Sequence, residues 1–470
     1  MGRFRTCSIV SAAAAGLAIA ALAGCSGYTA QSGAGGSYPA AAALSVPVLI
    51  TDAPNDQLVS FSLTLNSIVL TDTAGQTVNL LASPTTVEVT HLNGIQAPLV
   101  TAQIPQGTYV SAKFSYTNPQ VTFIDSTGKV VVANAVLANT STTFTPTNPV
   151  TLNNSNTSLL VDLQAEHSIA ISGATVTVTP QFLLRPIPAG ALLPRQGDDE
   201  TGMEARGTVV SAGGSSLVIQ PPTGANITFT TDSSTRYQDV SGISGLTAGS
   251  LVEVDFTVQS GNVLLANRVE LKVPPTAGQN GVPIVSLLRG PVTSTGANTF
   301  NMTLIEAQGP AVPGNQVGNT FAITTNSGTV FAITPQFPSL GGLPFTPSFT
   351  AANLSVGQTV AVAASAASTS AGTATASKVI LVPQTLGGTV SAITPGGGFT
   401  VYTLTLPAGS AFTALTGATS VKVYSTSATV GLSTNAIPVG ATVRFNGLVF
   451  NTGSGFAMVA GCSPDGTPGH

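Results

Sequence analysis

Residues 57–72 read QLVSFSLTLNSIVLTD. Val59, Phe61, Leu63 and Leu65 alternate with polar residues, the period-2 pattern of a strand with one face in a core. The alternation then slips by one residue and resumes at Ile68 and Leu70. One extra residue at Asn66-Ser67, a β-bulge, produces that slip. Just upstream, SVPVLITDAPND carries a short apolar strand over 46–51 that stops at Thr51-Asp52-Ala53-Pro54. Just downstream, TDTAGQTVNLL reads as a turn and a return strand. Further strands are expected at 107–116, 120–125, 130–136, 158–163 and 174–184, separated by Gly, Asn and Pro turns. Short strands at such spacing point to an antiparallel sandwich.

Composition agrees with an all-β chain. Only 7% of residues are charged, with 50 glycines and 31 prolines, yet 43% are hydrophobic, too many for a disordered polar chain. Val, Ile and Thr runs suit a pleated, half-buried surface. At 470 residues there is room for about three or four domains. A net charge of −4 gives no basic footprint for nucleic acid.

The N-terminus reads as an export signal. Arg3 and Arg5 form a positive n-region, and 9–22 is an Ala-rich apolar h-region too short for a comfortable membrane span. It ends in Leu22-Ala23-Gly24-Cys25, which resembles the bacterial lipobox. That resemblance implies a signal peptide over 1–24, acylation of Cys25, and an anchor that holds the protein to a membrane through its lipid. The alternative is an ordinary secretory signal. Ser26, in place of an Asp, is compatible in lipoproteins with transfer to an outer membrane. With Cys7 discarded and Cys25 acylated, Cys462 remains alone and no intrachain disulfide is expected. Residues 25–44, rich in Gly, Ser and Ala, read as a flexible tether.

The sandwich is expected over 45–188. Residues 189–204 read as a linker whose Asp198, Asp199, Glu200 and Glu204 form a solvated face, a metal clip being the alternative. The remainder repeats at a domain-sized period. RGTVVS at Arg206, RGPVTS at Arg289 and GGTVS at Gly387 each open a unit with G-x-V. Later in each come LTAGSLVEV, LSVGQTVAV and IPVGATVRF, in which Gly249, Gly357 and Gly440 supply a turn before a central strand. Two units close with LLANRVEL and ATASKVIL, and the third, GFAMVAGC, is degraded. Three small barrels are expected, over 205–273, 287–383 and 386–470, with a linker at 274–286 between the first two. The fold class is therefore all-β: an N-terminal antiparallel β-sandwich followed by three small OB-like β-barrel repeats.

T-D-A-P at the end of the first strand, the later IPQGTYVSAKF and SLLVDLQAEHS are similar to a bacterial lipoprotein domain, domain of unknown function 4382. The resemblance implies a sandwich and an envelope location, and no activity. Its P-x-G-x-Y turn implies a buried Tyr109 whose hydroxyl bonds nearby backbone. The repeats resemble domain of unknown function 5666, small β-barrels of bacterial secreted proteins, with Pro/Gly-rich inserts at 308–319 and 335–347 in the second copy. OB barrels often bind oligonucleotides or sugars, an analogy by fold alone.

Few residues invite chemistry, and no catalytic residue is assigned. His91 and His167 sit beside no nucleophile elbow, and no H-E-x-x-H, C-x-x-C, Walker or EF-hand spacing occurs. Both histidines read as ordinary surface or strand-end residues. Ca²⁺ accepts scattered oxygen ligands from loops, and Asp52, Asp56 and Asp72 lie at strand ends that could meet on one rim. Asp162 and Glu166 form another pair. The competing reading of Asp52 is a turn, its carboxylate capping nearby N–H groups while Pro54 fixes the next φ. No cofactor is otherwise expected, and a glycosidase pair would need a cleft. Trp is absent, and Tyr237, Tyr402 and Tyr424 are the rings left for stacking on sugars. Arg268 and Lys378, at one position of two repeats, read as a solvated strand face. The expectation is a lipid-anchored envelope protein with a binding, adhesion or structural role and an envelope protein or glycan as partner. Polysaccharide or peptidoglycan recognition is the alternative, and an unrecognised enzyme the third reading.

Overall fold

The computed structural model describes residues 43–462 except 54, 93–94, 126, 155, 174, 192–201, 274–284, 309–316, 335–336, 338–339, 366–370, 428 and 430–436. The signal, Cys25, the tether as far as residue 42 and Asp198–Glu200 of the acidic run lie outside the described residues. The first strand, Ala43–Ala53, starts two residues before the expected sandwich, because Leu44 already pairs with Ile104 and is buried.

The N-terminal part consists of two sheets. A nine-stranded sheet is built around Leu58–Asp72 and the 18-residue strand Gly107–Ile124. The register between them shifts at Leu65/Ser67, which places the bulge at Asn66, and Phe61, Leu63, Leu65, Ile68 and Leu70 all enter one core. Gly107–Ile124 was expected as two strands. It runs unbroken because Asn118, at φ 51°, and Pro119, which has no N–H to give, are accommodated at a further register shift. Conversely, 174–184 divides. Thr175–Val178 joins the large sheet and Phe182–Pro188 joins the small one.

The small sheet has the order Phe182–Pro188, Thr157–Gln164, Ala43–Ala53, Ala97–Pro105. The first strand pairs in parallel with Thr157–Gln164, a second parallel pair joins Thr175–Val178 to Val130–Leu137, and the other strand pairs are antiparallel. Val48 and Ile50 face the sandwich core, whereas Leu49 and Leu160 enter the core of the following barrel. With both faces covered, the strand reads as a continuous apolar run rather than an alternating one.

Three closed five-stranded barrels follow. Barrel one uses Glu204–Gly213, Ser216–Gln220, Ile227–Thr230, Leu251–Gln259 and Val263–Val273. Barrel two uses Val285–Thr295, Thr299–Thr303, Thr320–Thr324, Thr359–Ser365 and Thr373–Leu381. Barrel three uses Gln384–Pro395, Phe399–Thr405, Ser420–Thr426, Thr442–Asn451 and Phe456–Cys462. In each, the strands run 1-2-3-5-4 around the barrel, with the third and fifth parallel.

The repeated glycines explain how each barrel closes. Gly249, Gly357 and Gly440 adopt φ of 89°, 88° and 90°, a left-handed turn that favours glycine. Their N–H groups donate to Val209, Val292 and Val390 carbonyls at 2.9, 2.9 and 2.8 Å, fastening the fourth strand to the first. The first strand carries a register shift just after those same valines in all three copies, bending it so that it pairs on both sides. Gly207, Gly290 and Gly388 face the second-strand backbone closely enough that a Cβ would overlap the carbonyl oxygens of Gln220, Thr303 and Thr405.

The modules share cores. Barrel one's core takes in Leu49, Leu160 and Ile187 of the sandwich, and barrel two's takes in Leu448, Phe450 and Val459 of barrel three. Part of the Pro/Gly-rich insert fills that second seam, where Phe345 meets Tyr424 edge-on at 5.4 Å and Phe450 at 5.9 Å.

The crowding at the G-x-V glycines can be tested directly. Gly290→Ala should lower stability by roughly 1–3 kcal/mol, read as a fall in urea midpoint, because backbone must move. Gly213→Ala, on open surface, should leave the midpoint unchanged.

Candidate functional site

The sandwich and all three barrels meet around one cavity of about 320 Å³. The outer faces of the first and fourth strands of each barrel turn towards it. In barrel one these contribute Glu204, Arg206 and Glu253, in barrel two Arg289 and Ala361, and in barrel three Gly387 and Asn446. The sandwich adds Asn55, Asp56, Val59 and His91.

Barrel one builds its wall from alternating residues. Leu251–Gln259 reads LVEVDFTVQ, so Val252, Val254 and Phe256 point into the barrel while Glu253 and Asp255 point out. Across the ladder, Glu253 stands opposite Arg206 and Glu270, and Asp255 opposite Glu204 and Arg268. Arg206 Nε lies 2.6 Å from Glu204 Oε1 and 2.9 Å from Glu253 Oε2, and its Nη1 donates to Glu306 of barrel two at 2.6 Å. Arg268 holds Asp255 at 2.6 Å, Glu270 at 2.7 Å and Glu253 at 3.1 Å. Lys272 closes the set on Glu270 at 2.7 Å.

Glu204, Glu253 and Asp255 hold ligand atoms within 4.8 Å of one another. Buried like charges this close do not all ionise readily. Burial, opposed by Arg206, pushes the Glu204 carboxyl up to about 7, and burial opposed by Arg268 pushes Asp255 up to about 6. Glu253 is held below the usual range: burial works against it, but Lys272, Arg206 and Arg268 prevail. Glu306 is likewise held down, against its burial, by Arg206, His91 and Arg289.

The residues singled out from the sequence are placed as follows. Asp52 is buried, and burial raises its carboxyl well above the usual range. It accepts the Ala165 N–H at 3.1 Å, from a residue 113 positions away, so it braces the parallel strand rather than capping its own turn. The local cap is Asn55, whose Oδ1 accepts from Gln57 N–H at 2.9 Å. Asp56 is carried to barrel three, where its carboxylate lies over Gly387 and 3.8 Å from Arg444 Nε, and its carbonyl takes the Ala411 N–H at 2.7 Å. Asp72 sits at the other end of Leu58–Asp72 and caps a hairpin turn through Ala74 and Gln76 N–H, at 2.8 and 2.7 Å. The three candidate Ca²⁺ ligands are therefore not gathered on one rim. Of the other pair, Glu166 is engaged by Arg444 at 3.0 Å, and Asp162 is half-buried on Thr157–Gln164.

Two surface readings are corrected. Glu204 begins a strand and is buried in the ion network, not in a solvated linker, and Arg268 is 5% exposed within the same network. Lys378, its counterpart, is exposed at the cavity. His91 is half-buried at the cavity and its Nδ1 lies 2.7 Å from Glu88 Oε2, while His167 is exposed on the short helix Ala165–Ser168. Tyr109 is buried and donates to the Pro105 carbonyl at 2.6 Å, as the P-x-G-x-Y resemblance implies. Tyr402 and Tyr424 are buried, and Tyr237 half-buried against barrel one's core. Glu253, Asp255, Glu270 and Lys272 were not singled out. Their signal was the alternation E-x-D and R-x-E-x-K on two strands that pair.

Residues 44–186 match the family model Domain of unknown function (DUF4382), and residues 206–270 match Domain of unknown function (DUF5666). The order is the one the sequence resemblance implies. The DUF5666 match covers barrel one and therefore most of the ion network, including Arg206, Glu253, Asp255, Arg268 and Glu270. No curated protein matches the chain. Among solved structures, the Drosophila chain described as Unr CSD456 is similar at 10% identity, over 55% of this chain and 94% of that one. Its TM-score is 0.12, which carries no argument about function.

Two outcomes follow from the network of barrel one. A carboxyl raised by folding binds its proton more tightly in the folded state, so its contribution is present at low pH and lost as pH rises through the folded value. Between pH 5 and 7.5 the urea midpoint should fall, and Glu204→Gln should flatten that fall, by on the order of 2 kcal/mol. Arg206→Met should destabilise by about 3–5 kcal/mol at pH 7.5, because it leaves buried carboxylates without their partner.

Proposed function

We propose that this is a lipid-anchored protein of the cell envelope, in an outer membrane, with a non-catalytic binding or structural role. The observation that carries the reading is the engagement of the clustered ionisable groups with one another. Glu204, Glu253, Asp255, Glu270 and Glu306 are each held by Arg206, Arg268 or Lys272, and the Arg206–Glu306 contact ties barrel one to barrel two. Proton transfer to a substrate would require breaking these contacts. Their geometry instead suits a rigid body whose four modules frame one cavity.

The anchor rests on Leu22-Ala23-Gly24-Cys25, with small residues before the thiol that accepts the lipid, and on Ser26 for the outer membrane. Two or more acyl chains on Cys25 would hold the protein to the bilayer without a spanning segment. Glycan recognition through stacked rings has weaker support. Tyr402 packs on Phe445 at 5.4 Å inside barrel three, and Tyr424 is enclosed by Phe345 and Phe399.

Cys25→Ala should move the protein from the membrane to the soluble fraction and abolish labelling by radioactive palmitate. Retention of Cys25→Ala in the membrane pellet would overturn the anchor.

A further inference from the structure

The same sheet face carries different chemistry in barrels one and two, and pairing registers align the two position by position. Glu204–Asp255–Arg268 in barrel one corresponds to Leu287–Ala363–Lys378 in barrel two. The row Arg206–Glu253–Glu270 corresponds to Arg289–Ala361–Ile380. All four acids of barrel one are thus replaced by Leu, Ala, Ala and Ile, while both cations are kept. The six residues of barrel two all line the central cavity.

These replacements remove from barrel two the four acids that hold the corresponding cations in barrel one, and leave Arg289 facing only Glu306 across the ladder. Arg289 has a side chain only 14% exposed. Its Nε is buried with no hydrogen-bond partner, and Nη2 donates to the Pro383 carbonyl at 3.2 Å. The nearest carboxylate, Glu306, is 3.9 Å from Nη1 and is committed to Arg206 at 2.6 Å and to Gln308. Burial and the repulsion of Arg206 lower the Arg289 pKa, and Glu306, Glu204 and Glu253 do not offset them. A buried guanidinium that keeps its charge favours a planar anion that can take two of its N–H groups. Lys378 stands two strands away and has no ion-pair partner among the described residues. Neighbouring strands lie ~4.8 Å apart, so the two Cα atoms are separated by roughly 10–12 Å. Two long cationic side chains can meet one ligand across that distance. Between them lie Ala361 and Ala363, small enough to leave room, with Leu287 and Ile380 as an apolar floor.

We infer that this wall of barrel two is a binding site for a small carboxylate with an apolar body, its carboxylate on Arg289, assisted by Lys378, and its body over Ala361 and Ala363. The inference rests on the non-catalytic binding reading and gives it a ligand class. Of the other groups at the cavity, Arg206 and Lys272 are taken up by Glu204, Glu253, Glu306 and Glu270, so they do not draw the anion away, and Asp56 lies by Arg444.

The test uses the full-length Cys25→Ala chain and two fluorescent probes, 2-naphthoate and its neutral analogue 2-naphthamide. Trp is absent, so protein background is low. Naphthoate should bind at one saturable site, and the amide at least about tenfold more weakly, because a charge-assisted pair is lost. Arg289→Gln and Lys378→Gln should each weaken naphthoate by at least about fivefold, and Ala363→Leu should block both probes. Circular dichroism melting checks that each variant is folded. Should Arg289→Gln fail to fold, exposed Lys378 and half-buried Ala363 still decide the matter. Equal affinity for acid and amide, unchanged binding by folded Lys378→Gln and Ala363→Leu, or no saturable binding up to about 1 mM would each overturn the site. None of these results bears on the membrane fractionation of Cys25→Ala, so the two readings fail separately.

Discussion

A five-stranded sheet closes only when one strand bends enough to pair with neighbours on both sides, and the three barrels depend on meeting that constraint in one way. A glycine at a left-handed turn fixes the start of the fourth strand, its N–H fastened to a valine carbonyl of the first strand. A bulge just beyond that valine supplies the bend, and a second glycine lets the bent strand approach the second strand's backbone. None of these devices depends on outward-facing side chains. The outer faces were therefore free to diverge while closure stayed the same.

Divergence went furthest on the face turned to the centre. Barrel one fills it with four acids and the cations that hold them. Barrel two keeps the cations and replaces the acids with apolar residues. Barrel three has Gly387 at the first cationic position and Arg444 where barrel one has Glu253. There the missing side chain is replaced by Asp56 of the sandwich, which Gly387 alone leaves room for. Ion pairs removed from water gain little net stability over a well-packed apolar contact. What the barrel-one network does supply is position: Arg206 reaches across to Glu306 and sets how the two barrels meet.

The sequence made the local devices legible because they are local. The slip at Asn66, the turn glycines and the repeated G-x-V each show within a few residues. Charge partnerships were harder to see. Arg206 and Glu253 are 47 positions apart, so Glu204 beside an acidic run looked solvated and Arg268 looked like an exposed strand residue. Asp52 misled for the same reason, since its partner Ala165 is 113 positions away. The double-sided burial of the small sheet was readable in principle: VPVLI and LLV at 159–161 are continuous apolar runs, which a one-sided sandwich sheet does not need.

That small sheet also has a kinetic consequence. Its first strand pairs in parallel with a partner about 110 positions later, Val48 with Leu159, and its outer face is covered by barrel one, which begins at Glu204. A chain that emerges N-terminus first must hold this apolar strand without its final neighbours until about 150 further residues have followed. Loop-closure entropy is met before the contacts that reward it form, and such topologies mature slowly. The first of the described strands is then locked late, with its apolar faces open until barrel one has formed.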